Sequence, residues 1–205
     1  MKFQDLPQVL PLYAANGTIL LPRAQLPLLL QESEKPLVED AFQTGHRLIG
    51  MVQSNPEGGF FQKGCVGRII NFQDGVPLFI TLAGLCRFKI EEILEEGAVK
   101  KARVTYTGYE NDLEDSFSDP FVDRSRLLNL LKEYLEDQEI TANWEEIDHP
   151  SDDLIISSLS MACPFKPIEK QALLEISSLS ERCDMMIALM EMASPHLKGE
   201  NPMLH

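Results

Sequence analysis

Residues 64–88 read GCVGRIINFQDGVPLFITLAGLCRF, and this stretch decides the fold. Apolar runs flank Asp74-Gly75, a pair that tolerates the positive φ of a tight hairpin turn. Cys65–Phe72 and Pro77–Leu82 are therefore expected to pair, with Val76 and Pro77 free to lengthen the turn. Just beyond, Cys86, Phe88 and Ile90 alternate with Arg87, Lys89 and Glu91, the two-residue period of a half-buried strand. Val99–Tyr109 repeats it, with Ala102, Val104 and Tyr106 opposed to Lys101, Arg103 and Thr105.

Upstream, Val9–Tyr13, Thr18–Leu21, Gln25–Leu30 and Leu48–Gln53 also read as strands, and Asn16-Gly17 as a turn. A single helix interrupts them. Ser33 offers its cap, Leu37, Val38, Ala41 and Phe42 form its apolar face, and Gly45 supplies a left-handed stop. Several short strands with one helix predict a small, strongly curved sheet or partly closed barrel.

Downstream, Glu110–Asp119 carries five carboxylates in ten residues, followed by Pro120, which marks a boundary. The period then becomes helical. Leu127, Leu128, Leu130, Leu131, Tyr134 and Leu135 line a helix begun near Asp123, Ser151-Asp152-Asp153 starts a second, and Ile168–Ile176 forms a third. A fourth begins at Ser178 or Ser180 and ends before Pro195. The expected organisation is α+β: a β-domain with one helix over 1–109, an acidic linker over 110–122, a helical bundle over 123–197 and a flexible tail over 198–205.

Charge is distributed unevenly. The 205-residue chain has 18 basic and 32 acidic side chains, net −14, and the whole excess falls after residue 109. A nucleic-acid surface needs clustered cations to neutralise phosphates, so that half disfavours one, and Lys100, Lys101 and Arg103 read as a solvated strand face. Cys65, Cys86, Cys163 and Cys183 form no close pair and read as reduced core thiols. The start, Met1–Leu12, has no basic segment before an apolar run, and no stretch is apolar enough to span a bilayer. A cytoplasmic protein without membrane contact is expected.

Catalytic signatures are absent from the sequence. Gly59 and Gly64 have phosphate-loop separation, but Cys65 and Val66 stand where lysine and a hydroxyl are required. There is no Gly-x-Ser-x-Gly elbow, and His46, His149, His196 and His205 are scattered. The pairs Glu91-Glu92, Glu95-Glu96, Glu145-Glu146 and Asp152-Asp153 lack the one-three-five spacing of a calcium loop. No catalytic residue, metal or cofactor is expected.

Two apolar stretches are the candidate polypeptide-binding residues. Phe60 and Phe61 follow Gly58-Gly59 in a loop, where they can meet a partner or tuck under the barrel. The last helix is apolar nearly all round: Cys183, Met186, Ile187 and Met190 suit an interior, while Met185, Leu189 and Met192 can pack on a neighbouring element or accept a client.

The ordered set Leu10-Pro-Leu-Tyr13, Leu20-Leu-Pro22, Arg47-Leu-Ile-Gly-Met-Val52, Gly64–Phe72 with Asp74-Gly75, Ile80–Phe88 and Pro164–Glu175, with the later Arg182, resembles the N-terminal (La, substrate-binding) domain of Lon proteases. The resemblance spans nearly the whole chain. It departs after Leu30, where Gln31-Glu-Ser-Glu-Lys35 replaces the family's usual Phe-Glu-x-Arg-Tyr type of helix start. It implies a PUA-like β-barrel followed by helices, acting without ATPase or peptidase modules as a stand-alone, non-enzymatic binder of unfolded or client polypeptides in substrate recognition. An ATP-dependent protease and a second copy of the chain are further partners in keeping with it. The PUA-like architecture alone also suggests an RNA-binding module as the alternative.

Overall fold

Leu48–Gln53 is apolar at nearly every position, as a strand covered on both faces must be, and it sits at the centre of the sheet. The computed structural model describes residues 3–94, 99–114, 119–144 and 150–194. Its strands are β1 (Val9–Ala15), β2 (Gln25–Leu30), β3 (Leu48–Gln53), β4 (Lys63–Gln73), β5 (Leu78–Leu94) and β6 (Lys101–Thr105). They run in the order β2-β5-β4-β3-β1-β6, and a second pairing of β6 with β5 closes the last five into a ring. β1 and β3 are parallel, joined through β2 and helix α1 (Lys35–Gln43), while the other pairs are antiparallel.

Closure depends on β5. Its first part, Leu78–Ala83, pairs with β2, and its last part, Lys89–Leu94, pairs with β6. Between them, at Gly84, the β4 register shifts and the preceding chain crosses closely. A Cβ on Gly84 would lie 2.0 Å from the Leu21 carbonyl oxygen, and the Gly84 N–H and carbonyl are bonded to the Ala24 carbonyl (2.9 Å) and the Arg23 N–H (2.8 Å). Only glycine admits that approach.

Leu6, Leu10, Leu12, Leu48, Val52, Val66, Cys86, Phe88, Ile90, Ala102 and Val104 form one core cluster. The alternate residues Ile49, Met51, Cys65 and Ile69 belong to a second, with Leu37, Val38 and Ala41 of α1. Thr18–Leu21, expected as a strand, has no regular structure. Ile19, Leu20 and Leu21 are fully buried in the second cluster, so their apolar run reports burial rather than pairing. The helix start also differs from expectation: a 3₁₀ turn over Glu32–Glu34 precedes α1, with Glu34 rather than Ser33 at its cap and Pro36 in its first turn. Gly45, at φ +74°, ends α1 as expected.

After the barrel come α2 (Arg124–Asp137), α3 (Asp152–Ala162), α4 (Pro167–Glu175) and α5 (Leu179–Ala193). Asp123 accepts from the Arg126 N–H (3.0 Å) and Ser178 from the Glu181 N–H (3.3 Å), each an N-cap. The chain divides into two compact units, 1–117 with 157–175, and 118–156 with 176–205. Residues 157–175, which the sequence assigns to the helical half, thus group with the sheet, and Met161 and Leu174 complete its second core cluster. In the other unit, Leu127, Leu131 and Tyr134 of α2 and Cys183, Met186 and Met190 of α5 are buried. Arg124 there bonds Asp152 (2.7 Å), and Arg126 bonds Glu191 (2.8 Å). The tail over 198–205, part of the acidic linker, Glu95-Glu96, Glu145-Glu146, His149, His196 and His205 lie outside the described residues.

Candidate functional site

On α1, residues 35, 38, 39, 42 and 43 recur at helical spacing and form one wall of a groove. The facing wall is the β4–β5 hairpin, through Phe72, Asp74 and Leu78. The cavity measures about 330 Å³, at the low end of the range of small-ligand sites. Val38, Phe42, Phe72 and Leu78 make it apolar, and the Phe42 and Phe72 rings meet edge to face at 5.4 Å. A second cavity of about 300 Å³ adjoins it, bounded by Glu32, Lys35, Asp74, Gly75, Val76 and Leu78. The two share Lys35, Asp74 and Leu78, and a Lys35–Asp74 ion pair of 3.7 Å spans the shared wall.

Both cavities lie where the hairpin outruns its cover. The last four residues of β4 are exposed, including Ile70 (50%) and Phe72 (42%), and Val76 in the turn is 85% exposed. On neighbouring β2, Leu29 is 64% exposed. Isolated apolar side chains at a surface are ordinary; of these four, Phe72 and Val76 line the cavities.

The sequence candidates fall elsewhere. Phe60 is half-buried against the first core cluster, forms an isolated bridge with Ser54, and has the Lys100 ammonium 5.1 Å from its ring centroid. Phe61 is half-buried, and its N–H donates to the Gln53 carbonyl (3.0 Å). In the other unit, of the three candidates on α5, Leu189 is buried, Met185 half-buried and Met192 64% exposed. The groove escaped the sequence reading because its walls come from 32–43 and 72–78, two segments with no shared motif. Its traces were Phe42 on a helix of mixed pattern and Phe72 at the end of a strand.

The barrel face that receives α4 is fastened by polar groups. Arg87 donates to Asp112 through Nε (2.9 Å) and Nη2 (2.7 Å) and to the Leu174 carbonyl through Nη1 (3.3 Å), with its guanidinium 4.9 Å from the Tyr109 ring centroid. Burial draws the Arg87 pKa down, but the hydrogen bond and charge of Asp112 outweigh it and leave it raised. Gln53 donates to the Pro167 carbonyl and to Gln171 Oε1, both at 3.1 Å, while Gln171 donates to the Lys63 carbonyl (3.1 Å) and Glu175 (2.9 Å).

Burial pushes the Cys86 and Cys163 thiols up to about 12 and raises Cys65 and Cys183 as well, so none is poised as a thiolate nucleophile, and none forms a disulfide. Lys101 is paired with Asp40 (2.6 Å) and Arg103 with Glu92 (3.4 Å), so that cationic strand face is engaged internally. Among the described residues no three His, Cys, Asp or Glu side chains converge as ligands for an ion, and no helix is long and apolar enough to cross a membrane.

Comparison with known proteins accords with this architecture. The chain is 29% identical to Lon protease 2 of Myxococcus xanthus over 97% of its own length and 25% of that protein's. It is 34% identical to the Lon protease of Dictyoglomus thermophilum over 49% of its length and 14% of that protein's. The chain therefore spans no more than about a quarter of these relatives. Among solved structures, the N-terminal domain of Mycobacterium avium complex Lon protease aligns with TM-score 0.67 and 18% identity, covering 89% of this chain and 98% of that one. A Lon N-terminal domain protein from Xanthomonas campestris aligns with TM-score 0.62 and 21% identity, covering 88% and 97%. At such identities these likenesses establish the fold, a near-closed mixed sheet followed by helices. Residues 9–192 match the ATP-dependent protease La (LON) substrate-binding domain, and the chain belongs to that family.

Proposed function

We propose that this chain is a cytoplasmic polypeptide-binding module of the Lon N-terminal type, recognising substrates or acting as an adaptor for ATP-dependent proteolysis without catalysis of its own. The observation that carries the reading is the apolar groove between α1 and the β4–β5 hairpin, with Phe42, Phe72 and Leu78 in its walls. An exposed apolar segment of an unfolded client would lose water contact there, gaining about 25 cal/mol per Å² of apolar area before the cost of ordering it. Phe61 and Met192 remain secondary contact candidates, each with some open area.

The test is titration of a permanently unfolded, Leu- and Phe-rich synthetic polypeptide against the wild-type chain, Phe72→Ser and Met192→Ser. Binding is expected in the wild type, weakened at least about tenfold in Phe72→Ser and no more than about twofold in Met192→Ser. Wild-type chain that binds no polypeptide, or binding indifferent to Phe72, would refute the groove as the contact surface.

A further inference from the structure

The groove's charges suggest a narrower class of occupant, resting on the polypeptide-binding reading above. Four ionisable side chains line the two cavities: Lys35, Glu32, Glu39 and Asp74. The one cation among them is paired with Asp74. Of the cations near these walls, Arg47 lies over the Phe42 ring, 5.2 Å from its centroid, and Lys101 is paired with Asp40 (2.6 Å). Glu32 and Glu39 are both exposed, and neither takes part in an ion pair among the described residues. Glu32 borders one cavity and Glu39 the other, so each cavity has an unpaired carboxylate beside its apolar lining and beside the Lys35–Asp74 pair that the two share.

Such a rim discriminates by sign. Phosphate backbones, anionic lipid headgroups and acidic peptides would be brought against uncompensated carboxylates, whereas a cation beside an apolar anchor meets complementary charge. We propose that the trough binds a polypeptide segment in which a large apolar side chain is flanked by lysine or arginine, the apolar group packing against the Phe42–Phe72 pair and Leu78 and the cations meeting Glu32 and Glu39. The Lys35–Asp74 pair bears on the same point. Both members are exposed and 3.7 Å apart, a weak link that an incoming cation can replace by competing for Asp74.

The experiment uses three labelled synthetic peptides with a common Leu-Phe-Leu centre and flanks of lysine, glutamine or glutamate, titrated by fluorescence anisotropy at low and high salt. The lysine-flanked peptide is expected to bind about tenfold more tightly than the glutamine-flanked one at low salt, and the glutamate-flanked one most weakly, with the spread closing as salt rises. In Glu32→Gln/Glu39→Gln, whose changes are at exposed sites, the lysine preference should disappear while affinity for the glutamine-flanked peptide is kept. Equal binding of all three, abolished by Phe72→Ser, overturns the charge selectivity and leaves the polypeptide reading standing. No binding of any peptide, or binding that survives Phe72→Ser, overturns both. Concentration-dependent self-association that Phe72→Ser abolishes and the peptides cannot displace assigns the trough to a second copy and overturns the proposal as well.

Discussion

Arg87 and Asp112, 25 residues apart, form a two-point fork in the barrel wall, with both side chains under a tenth exposed. The same carboxylate also accepts the Arg87 N–H at 2.9 Å. Removing Asp112 would take away the carboxylate that accepts the Arg87 backbone N–H and two guanidinium N–H groups and that carries the charge opposite this buried cation. Asp112→Ala is expected to lower the unfolding free energy by about 3–5 kcal/mol, and Asp112→Asn by less, as read from urea denaturation. A loss under about 1 kcal/mol for the alanine variant would show that the pair is dispensable.

Gly84 and Gly59 provide a matched contrast. At Gly84 a methyl group would collide with backbone, while at Gly59 it would meet nothing within 4 Å and suffer only from a φ of +77°. Gly84→Ala is expected to cost about 3 kcal/mol or more and Gly59→Ala about 1 kcal/mol. Equal melting temperatures for the two variants would contradict the close crossing of Leu21 over β5.

The buried thiols set an alkaline limit. Cys86 and Cys163 titrate near 9.0 when unfolded and at about 12 in the folded chain. Above pH 9 the unfolded state releases protons that the native state keeps, so stability is whole below that point and declines towards pH 12, by about 1 kcal/mol per pH unit for each thiol. Thermal melts from pH 8 to 10 should show the fall, and Cys163→Ala should make it shallower. The same burial predicts slow thiol labelling at pH 8 until denaturant is added.

Phe60 is expected to matter for stability. Its ring packs on the first core cluster beneath the Lys100 ammonium. Phe60→Ala should therefore lower stability by about 1–2 kcal/mol, less than a fully buried phenylalanine would, while Met192→Ser leaves it unchanged. A neutral Phe60→Ala in chemical denaturation would return this ring to the list of contact candidates.

Much of the fold can be read from local pattern. β3 is legible because a strand covered on both faces is a continuous apolar run, and α2 and α5 announce themselves through Asp123 and Ser178. β5 was harder, since Gly84 and its neighbours suggest a break, whereas the glycine admits a crossing backbone within one long strand. The attachment of α4 was hidden for a different reason. Gln171 and Lys170 are buried polar residues whose partners, Gln53 and the Met161 carbonyl, no periodicity reveals. The groove was illegible because its concavity exists only after α1 and the hairpin are brought together.

The division between the two compact units falls inside α3, between Ile156 and Ser157, so the chain leaves the first unit, enters the second, and returns. This has a consequence for biosynthesis. A ribosome that has delivered the last strand has not yet supplied Leu174 to Arg87 or Gln171 to Gln53. The nascent barrel must wait about 70 residues for its closing piece, several seconds at ordinary translation rates, with a polar seam and an apolar flank uncovered in the interval.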